Sequence, residues 1–400
     1  MGNGAVRLSP VWLKAAVLGG LWASVEIIIG SFFHNLRLPF AGTILGMNAT
    51  IMMIAFYQMW PEKGLIWRAG LIAALMKSVS PSAIILGPMI GIMSEALIIE
   101  FFIRLFGNHF LSLSLAGAIS VSSALIHKVV SLLILYGFNI VNLYVDIYHF
   151  LARQARMEGA DPWILVNLVI AVYLLAGFIS AYLGITIGKR SLKKGQQEKM
   201  GFKPLDNSPD NLLSINPEQS FSLPLFILHI IMIPLGLIAF NYLSLEYSGI
   251  VVLAYALVCI WRYRQSLRRL RKPVFWFQLF LLTLLAAVFW NGFGSKDGFF
   301  GMEGFLIGIQ MNIRALFVVV AFSSFGVELR NPVIRTLLFN KGFDRIYAAL
   351  GLSFTALPVM IEAMPGPRAF LRYPVDSFSQ MMQQAREWYQ VFEARQDKRV

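Results

Sequence analysis

A polar stretch in the middle of the chain, residues 189–220, separates two sets of long apolar segments. It reads KRSLKKGQQEKMGFKPLDNSPDNLLSINPEQS and contains no apolar run long enough to cross a bilayer. Loops of this length are uncommon unless they have a function or mark a boundary. The pattern therefore predicts two membrane modules, residues 1–190 and 221–400, joined by a cytoplasmic polar linker at residues 191–220. An ordinary loop inside one transporter is the alternative.

The composition is that of a polytopic membrane protein. Hydrophobic residues make up 57% and charged residues 14% of the 400 positions, whereas about a quarter of the residues in soluble domains are charged. The net charge of +13 resembles that of nucleic-acid-binding proteins. The Lys and Arg residues lie between apolar runs, however, which is the distribution that the positive-inside rule describes. We therefore interpret the charge as membrane orientation and expect no nucleic-acid partner.

Several kinds of chemical site have no signature in the sequence. The single cysteine, Cys259, cannot form an internal disulfide, and no Cys/His spacing matches a metal site. Neither the phosphate-binding loop G-x-x-x-x-G-K-[ST] nor an H-E-x-x-H or G-x-S-x-G motif occurs. We therefore expect no enzyme, no cofactor and no ATP hydrolysis by this chain itself. The N-terminal residues lead directly into an apolar run, so a removable signal peptide is not expected.

Ten apolar segments approach the length that crosses the roughly 30 Å hydrocarbon layer, which predicts an all-α polytopic fold. They lie at about residues 11–33, 41–60, 66–80, 84–106, 111–137 and 163–188 before the linker, and at about residues 223–243, 248–261, 274–293 and 305–325 after it. Residues 139–161 are predicted to form an outer loop or a short surface helix. Beyond residue 325 the alternation of apolar and basic residues predicts cytoplasmic amphipathic helices, with residues 346–364 as an alternative further span.

Basic residues determine the predicted orientation of these segments. Six of them precede Pro204 in the polar stretch, and six more lie in RYRQSLRRLRK at residues 262–272. Lys and Arg near the ends of spans are retained on the cytoplasmic side. The linker and both termini are therefore predicted to be cytoplasmic.

Ionisable residues inside the predicted spans of the first module indicate a binding site. Charged groups at membrane depth are costly and usually face a partner or a polar cavity. The segment with Pro and Gly after Lys77 interrupts helical pairing and frees backbone groups for a polar ligand. Purely structural pairs, Lys77 with Glu95 and Glu100 with Arg104, are the alternative. The candidate substrate-binding residues, for a small polar organic molecule, are Glu26, His34, Lys77, Glu95, Glu100, His127 and Lys128.

The first apolar segment carries a strip of small residues, Ala15, Gly19 and Ala23, with Ala16 and Gly20 beside it. Such strips let the backbones of two membrane helices approach closely. The strip therefore predicts a helix–helix interface. Its partner is a helix of the second module or, in the alternative, another helix of the first module.

Longer motifs in both modules resemble those of energy-coupling factor (ECF) transporters. The first module, with AAVLGGLWASVEIIIGSFFHNLRLPFAGTILG and LIAALMKSVSPSAIILGPMIGIMSEALIIEFF, resembles their six-helix substrate-capturing S component. The second, with MNIRALFVVVAFSSFGVELRNPVIRTLLFNKGFDRIYAALGLSFTALPVMIEAM, resembles their transmembrane T component. The resemblance implies an importer in a prokaryotic inner membrane. An organic, vitamin-like nutrient is expected, because the cobalt and nickel members begin with a Met-His motif that this chain lacks.

The resemblance also implies two ABC-type ATPase subunits as partners. In the family, short x-Arg-x motifs on cytoplasmic helices, typically Ala-Arg-Gly, dock onto these ATPases. The corresponding candidates here are Arg368, Arg386 and Arg395, none of which is followed by Gly. The family pattern would place Ala15, Gly19 and Ala23 at the interface between the two modules.

Two other functions remain open at the level of sequence. An ion-coupled secondary transporter would use Glu26, Glu95 and Glu100 as a proton relay. A non-transporting membrane scaffold would have a second module that has lost its contact with ATPases.

The placement of Lys and Arg leads to a topology prediction. Reporters fused after Gly64, near Asn207 and at the C-terminus should all report a cytoplasmic location, because basic residues cluster at residues 189–203 and 262–272. Alkaline phosphatase and fluorescent-protein fusions measure this directly. An external location at Asn207 would contradict the division into two modules.

Overall fold

A computed structural model describes residues 7–35, 40–78, 86–155, 161–193, 222–242, 245–263, 267–290, 301–328 and 344–397. Within these residues the regular structure is helical and contains no strand, which confirms the all-α class. The helices are α1 (Pro10–Asn35), α2 (Ala41–Met59), α3 (Leu65–Ser78), α4 (Leu86–Phe106), α5 (Phe110–Tyr136), α6 (Asn139–Gln154), α7 (Trp163–Lys193), α8 (Leu223–Tyr242), α9 (Leu245–Tyr263), α10 (Pro273–Phe289), α11 (Met302–Glu328), α12 (Asp344–Ala363), α13 (Pro367–Arg372) and α14 (Pro374–Asp397). The linker from residue 194 onward lies outside the described residues.

Five of these helices are long and apolar enough to cross a membrane, which supports a membrane protein. They cover Pro10–Gly30, Phe110–Tyr136, Trp163–Leu192, Leu223–Phe240 and Met302–Phe325. Shorter apolar helices occur at Val252–Tyr263, Pro273–Phe289 and Ala348–Ala363. Neither set includes α2, α3 or α4, which the sequence predicts as spans. The 14 residues of α3 extend only about 21 Å, which is shorter than the hydrocarbon layer.

Helix α1 lies at the centre of the main apolar core, and its small residues contact two different helices. A Cβ atom on Gly19 would lie 2.8 Å from the Ala69 carbonyl oxygen and from Ile72, both on α3. A Cβ atom on Gly20 would lie 2.9 Å from Met360 Sδ on α12. Close packing of this kind needs residues without large side chains. The strip therefore serves an interface within the first module and an interface with the second.

Helix α12 is held against α1 by a hydrogen bond as well as by packing. Ser353 Oγ lies 2.8 Å from the Ala16 carbonyl oxygen and 2.9 Å from the Ala349 carbonyl oxygen. Its Cβ atom is 3.6 Å from the Cβ position of Gly20. Ser353 is fully buried. Residues 346–364, predicted as a cytoplasmic amphipathic helix or as a further span, lie in the helix Asp344–Ala363, whose apolar part, Ala348–Ala363, is shorter than the candidate spans.

Helix α14 is amphipathic and packs its apolar face on the first module. The buried residues of that face, spaced three or four apart, are Phe378, Met381, Ala385, Trp388 and Phe392. Gln396 exchanges two hydrogen bonds of 3.1 Å with the backbone of Leu8, and the ring of Tyr389 lies 5.9 Å from that of Trp60. The apolar core therefore includes residues from both ends of the chain.

The middle helices of the second module form a separate core and contact the first module on another side. This core contains Phe240, Tyr255, Phe317 and Ala321. Arg314 of α11 donates to the carbonyl oxygen of Ile134 at 3.0 Å, near the C-terminal end of α5, where a cation is favoured by the helix dipole. Of the outer loop or short surface helix predicted at residues 139–161, a helix is observed as α6, and its Phe150 packs on Phe289 of α10 with ring centres 5.2 Å apart.

Cross-linking can test the contact between α1 and α12. The 3.6 Å separation at positions 20 and 353 matches the Cβ–Cβ distance of disulfides, about 3.5–4.5 Å. In a Cys259→Ala background, the pair Gly20→Cys with Ser353→Cys should form a disulfide that keeps the two halves together after cleavage at a protease site inserted near residue 207. A non-reducing gel measures this outcome.

The matched control pairs Gly19→Cys with Ser353→Cys, because Gly19 faces α3 instead. This variant should separate into two fragments. Equal cross-linking at both positions, or none at position 20, would contradict the observed packing.

Candidate functional site

A buried ion pair joins α1 to the C-terminal end of α3. Lys77 Nζ lies 3.6 Å from Glu26 Oε2 and 3.2 Å from the Glu26 carbonyl oxygen. The exposed fractions of the two side chains are 16% and 10%. Lys77 lies in the last turn of α3, where a positive charge interacts favourably with the helix dipole. The sequence placed both residues in a polar site, and the structure brings them together.

Glu95 of α4 is buried close to this pair but does not share its cation. Its exposed fraction is 8%, and Oε1 lies 2.8 Å from the Cβ position of Gly46 on α2. Among the described residues, no Lys or Arg nitrogen lies within 4.0 Å of the Glu95 carboxylate. Glu26 is near enough for the two like charges to interact. The pairing of Lys77 with Glu95 suggested by the sequence is therefore not the pairing that forms.

A second polar cluster lies on the face of α2 that also carries Gly46. The Tyr173 hydroxyl of α7 lies 2.9 Å from Thr43 Oγ1 and 3.4 Å from Lys128 Nζ. The Lys128 ammonium also lies over the ring of Phe40, 5.4 Å from its centre. Thr43 and Gly46 are three residues apart on α2, so they are neighbours on one helix face, with Cβ positions about 5–6 Å apart. The Glu95 and Lys128 groups thus border one region of the first module.

His127 belongs to the same end of α5 as Lys128 but makes weaker contacts. Its Nδ1 atom is 3.5 Å from Ser131 Oγ, and its Cε1 atom is 3.9 Å from the Cβ position of Gly87. The side chain of His34 lies outside the described residues. Tyr173, which the sequence analysis did not select, was detectable as a hydroxyl within an apolar span.

The structure separates Glu100 from the other candidate residues. Its carboxylate accepts hydrogen bonds from the backbone nitrogens of Gly64 and Ile66 and from Arg104 Nε, the last at 2.7 Å. The two backbone nitrogens lie at the N-terminus of α3, where a carboxylate accepts hydrogen bonds from donors that have no partner within the helix and interacts favourably with the helix dipole. Ile66 and Lys77 are 11 residues apart, which is about 16 Å along the helix. Glu100 therefore has a capping role instead of a place beside Glu26.

The three candidate coupling arginines have different surroundings. Arg368 is exposed on the short helix α13. Arg386 is partly buried, and its Nε atom lies 3.3 Å from Met59 Sδ of the first module. Arg395 is partly buried on α14 and has a partner. The other predicted interface residues, Ala15 and Ala23, are buried in the main core.

Sequence reasoning missed a buried polar network in the second module. His229 of α8 lies 2.6 Å from the Tyr255 hydroxyl and 3.2 Å from the Tyr263 hydroxyl. Tyr263 in turn donates to Glu328 at 2.7 Å, and Glu328 also accepts from the backbone nitrogen of Ser222 at 2.8 Å. These contacts tie α8, α9 and α11 together. The signal was the occurrence of His229 and Glu328 within or beside apolar spans, which is unusual unless such groups have partners.

Outside the spans, Tyr389 of α14 forms part of a mixed cluster at the α1–α14 contact. Lys14 forms an ion pair with Glu62, and its ammonium lies 5.5 Å from the centre of the Tyr389 ring. Burial and the nearby Glu393 carboxylate raise the pKa of the Tyr389 phenol. Tyr389 therefore remains a neutral donor, with its hydroxyl 3.3 Å from Glu393 Oε1.

Comparison with protein-family models, with curated proteins and with solved structures gives no match for this chain. The functional assignment therefore depends on the side chains and contacts described above, together with the resemblance seen in the sequence.

The buried Glu26–Lys77 pair can be tested with a double-mutant cycle. Either Lys77→Met or Glu26→Gln should lower the free energy of unfolding by about 3–5 kcal/mol, because each leaves one buried group without its partner. The double variant should lose less than the sum of the two. Unfolding in detergent, followed by circular dichroism, measures the three values.

The control is the corresponding cycle for Lys14 and Glu62, whose side chains are 16% and 29% exposed. Because this pair is more accessible to solvent, its coupling energy should be smaller. Additive losses at Glu26 and Lys77 would show that the two groups are not coupled.

Proposed function

We propose that the chain is the membrane subunit of an ECF-type importer for a small organic nutrient. Residues 1–190 capture the nutrient, and residues 221–400 couple capture to separate ABC-type ATPases in a prokaryotic inner membrane. The observation that carries the proposal is the packing of α12 and α14, from the second half, on α1 of the first. This arrangement gives the C-terminal helices direct mechanical contact with the proposed capture module.

Helix α1 supports the proposal because it carries both the interface and part of the polar site. Gly20 contacts Met360 of α12, and Glu26 contacts Lys77. The two α1 residues are six positions apart, which is about 9 Å along the helix. A displacement of α12 against α1 would therefore act on the helix that holds Glu26.

Helix α14 supplies the second contact in this mechanism. Its buried face packs on α1 and α7, while Asp376, Gln383, Gln390 and Glu393 remain exposed on the other face. A helix with one face fixed to the capture module and one face free has the arrangement that a coupling helix needs.

Among the candidate arginines, the surroundings favour Arg368 as the docking residue. An exposed guanidinium can form paired hydrogen bonds with a carboxylate of an ATPase, which an ammonium cannot reproduce. Arg386 instead faces Met59 and is better suited to fixing α14 on the first module.

An ion-coupled secondary transporter is the second candidate, and the buried Glu95 carboxylate favours it. Proton relays in membrane proteins use such intramembrane carboxylates. The proposed relay would also have needed Glu100, which instead caps α3. For this reason we place the importer first.

Arginine substitutions test the ATPase coupling. Arg368→Lys should reduce copurification of the partner ATPases and nutrient uptake by about tenfold or more, because a charge-assisted hydrogen bond contributes about 1.5–3 kcal/mol. Quantitative mass spectrometry of affinity-purified complexes measures the first quantity, and uptake by intact cells measures the second.

Two matched variants complete the experiment. Arg372→Lys changes the other exposed arginine of α13, which lies over the ring of Tyr373, and should leave ATPase association intact. Arg386→Lys should also leave it intact. Uptake that persists in Arg368→Lys, or in a strain without any candidate ATPase, would favour the secondary transporter.

A further inference from the structure

Glu95 is a buried carboxylate that pairs with no Lys or Arg among the residues that the structure describes. It is 8% exposed, and Lys77 contacts the side chain and the backbone of Glu26 instead. Moving an unpaired carboxylate out of water is strongly unfavourable. A buried Glu95 therefore either carries a proton or receives a cation from a ligand.

The charges around Glu95 favour a positive partner. Glu26, Glu95 and Lys77 together carry two carboxylates and one ammonium, so the cluster has an excess negative charge when both acids are ionised. Lys128 of α5 contacts the Tyr173 hydroxyl and the Phe40 ring and forms no ion pair with Glu95 among the described residues. An anionic group placed beside Glu95 would meet repulsion from both carboxylates.

Glu95 lies within α4 and packs against α2. It is nine residues after the start of α4 at Leu86, which is about 14 Å along the helix. Gly46 lets the carboxylate approach α2 closely, because a Cβ atom at this position would lie 2.8 Å from Glu95 Oε1.

We infer that the nutrient carries a cationic group, such as a quaternary nitrogen or an ammonium, which pairs with the Glu95 carboxylate beside Gly46. This inference rests on the proposed function, since it assigns the charge of the captured molecule. Glu26 contributes further negative potential, and Lys77 holds Glu26 in place. The Tyr173 hydroxyl and the Lys128 ammonium, which contact each other, form the polar cluster near the same face of α2.

The test uses the full chain in lipid nanodiscs and a panel of water-soluble vitamins sorted by charge. Thiamine represents a permanent cation; riboflavin, pyridoxine and nicotinamide represent neutral molecules; biotin and pantothenate represent anions. Thermal stabilisation ranks the compounds, and calorimetry measures the Kd of those that bind. The panel is applied to the wild type, to Glu95→Gln and to Glu95→Asp.

We expect the cationic compound to stabilise the wild type and the neutral and anionic compounds to have little effect. Glu95→Gln, which has the shape of a protonated Glu95, should weaken cation binding by about tenfold or more, because one partner of a buried charge pair is removed. Glu95→Asp should retain part of the affinity. Glu362→Gln, which changes an exposed carboxylate of α12, should bind like the wild type.

The inference fails if neutral or anionic compounds are preferred, if Glu95→Gln binds a cationic compound as tightly as the wild type, or if no cationic compound stabilises the wild type. The preference measured on the wild type does not depend on whether any variant folds. In another outcome, NaCl stabilises the wild type more than KCl does, or acid stabilises it, while organic cations have no effect. If Glu95→Gln abolishes that stabilisation, Glu95 is assigned to an inorganic cation or a proton. That result also overturns the inference.

Failure here is distinguishable from failure of the proposed importer. If the ATPases copurify and uptake depends on them while Glu95→Gln binds its compound normally, only the charge assignment is wrong. If Glu95 binds an organic cation but uptake is independent of any ATPase, the charge assignment stands and the importer mechanism is wrong.

Discussion

The close approach of α1 to two other helices is the constraint on which the rest of the structure depends. Lipid tails are as apolar as the helix surfaces, so membrane helices associate through packing instead of a hydrophobic driving force. Adjacent glycines let α1 meet α3 through Gly19 and α12 through Gly20, at distances that leave no room for a Cβ atom without movement of the neighbours. Because α12 belongs to the second half of the sequence, one small-residue strip both assembles the first module and joins it to the second.

The charged groups of the first module fall into two sets with different physical roles. At the start of α3, Glu100 accepts from two backbone nitrogens and from Arg104, and Lys14 pairs with Glu62 nearby. These contacts satisfy the backbone N–H groups at the start of α3 and stabilise the turn between α2 and α3. At the other end of α3, Glu26, Lys77 and Glu95 contain one carboxylate more than they can pair internally. An imbalance at membrane depth is costly, which makes this second set the stronger indication of function.

The sequence predicted the helical class and most helix positions, because long apolar runs leave few alternatives in a bilayer. It also selected Glu26 and Lys77, which form a buried ion pair, and the small-residue strip, which packs on two helices; their roles in substrate binding and in module association stay predictions. It did not predict which carboxylate Lys77 contacts, since helical spacing gives no information about neighbours on other helices. For the same reason Glu100 was grouped with Glu26, and the His229–Tyr263–Glu328 network, whose members are far apart in sequence, was missed.

The shared core restricts how the two modules can move relative to each other in the proposed importer. Helix α14 buries Phe378, Met381, Trp388 and Phe392, and in its proposed cytoplasmic position detaching this face would expose the four side chains to water, at about 1.5–3 kcal/mol each. Helix α12 meets α1 through the contact of Met360 with Gly20 and through one hydrogen bond from Ser353, and in lipid its separation has no hydrophobic cost of this kind. Opening the α1–α12 contact while α14 remains attached is therefore less costly than releasing the whole first module. In this mechanism α14 transmits the motion without leaving its site. Since Glu26 lies on α1 beyond that contact, opening it would loosen the helix that carries the Glu26 carboxylate.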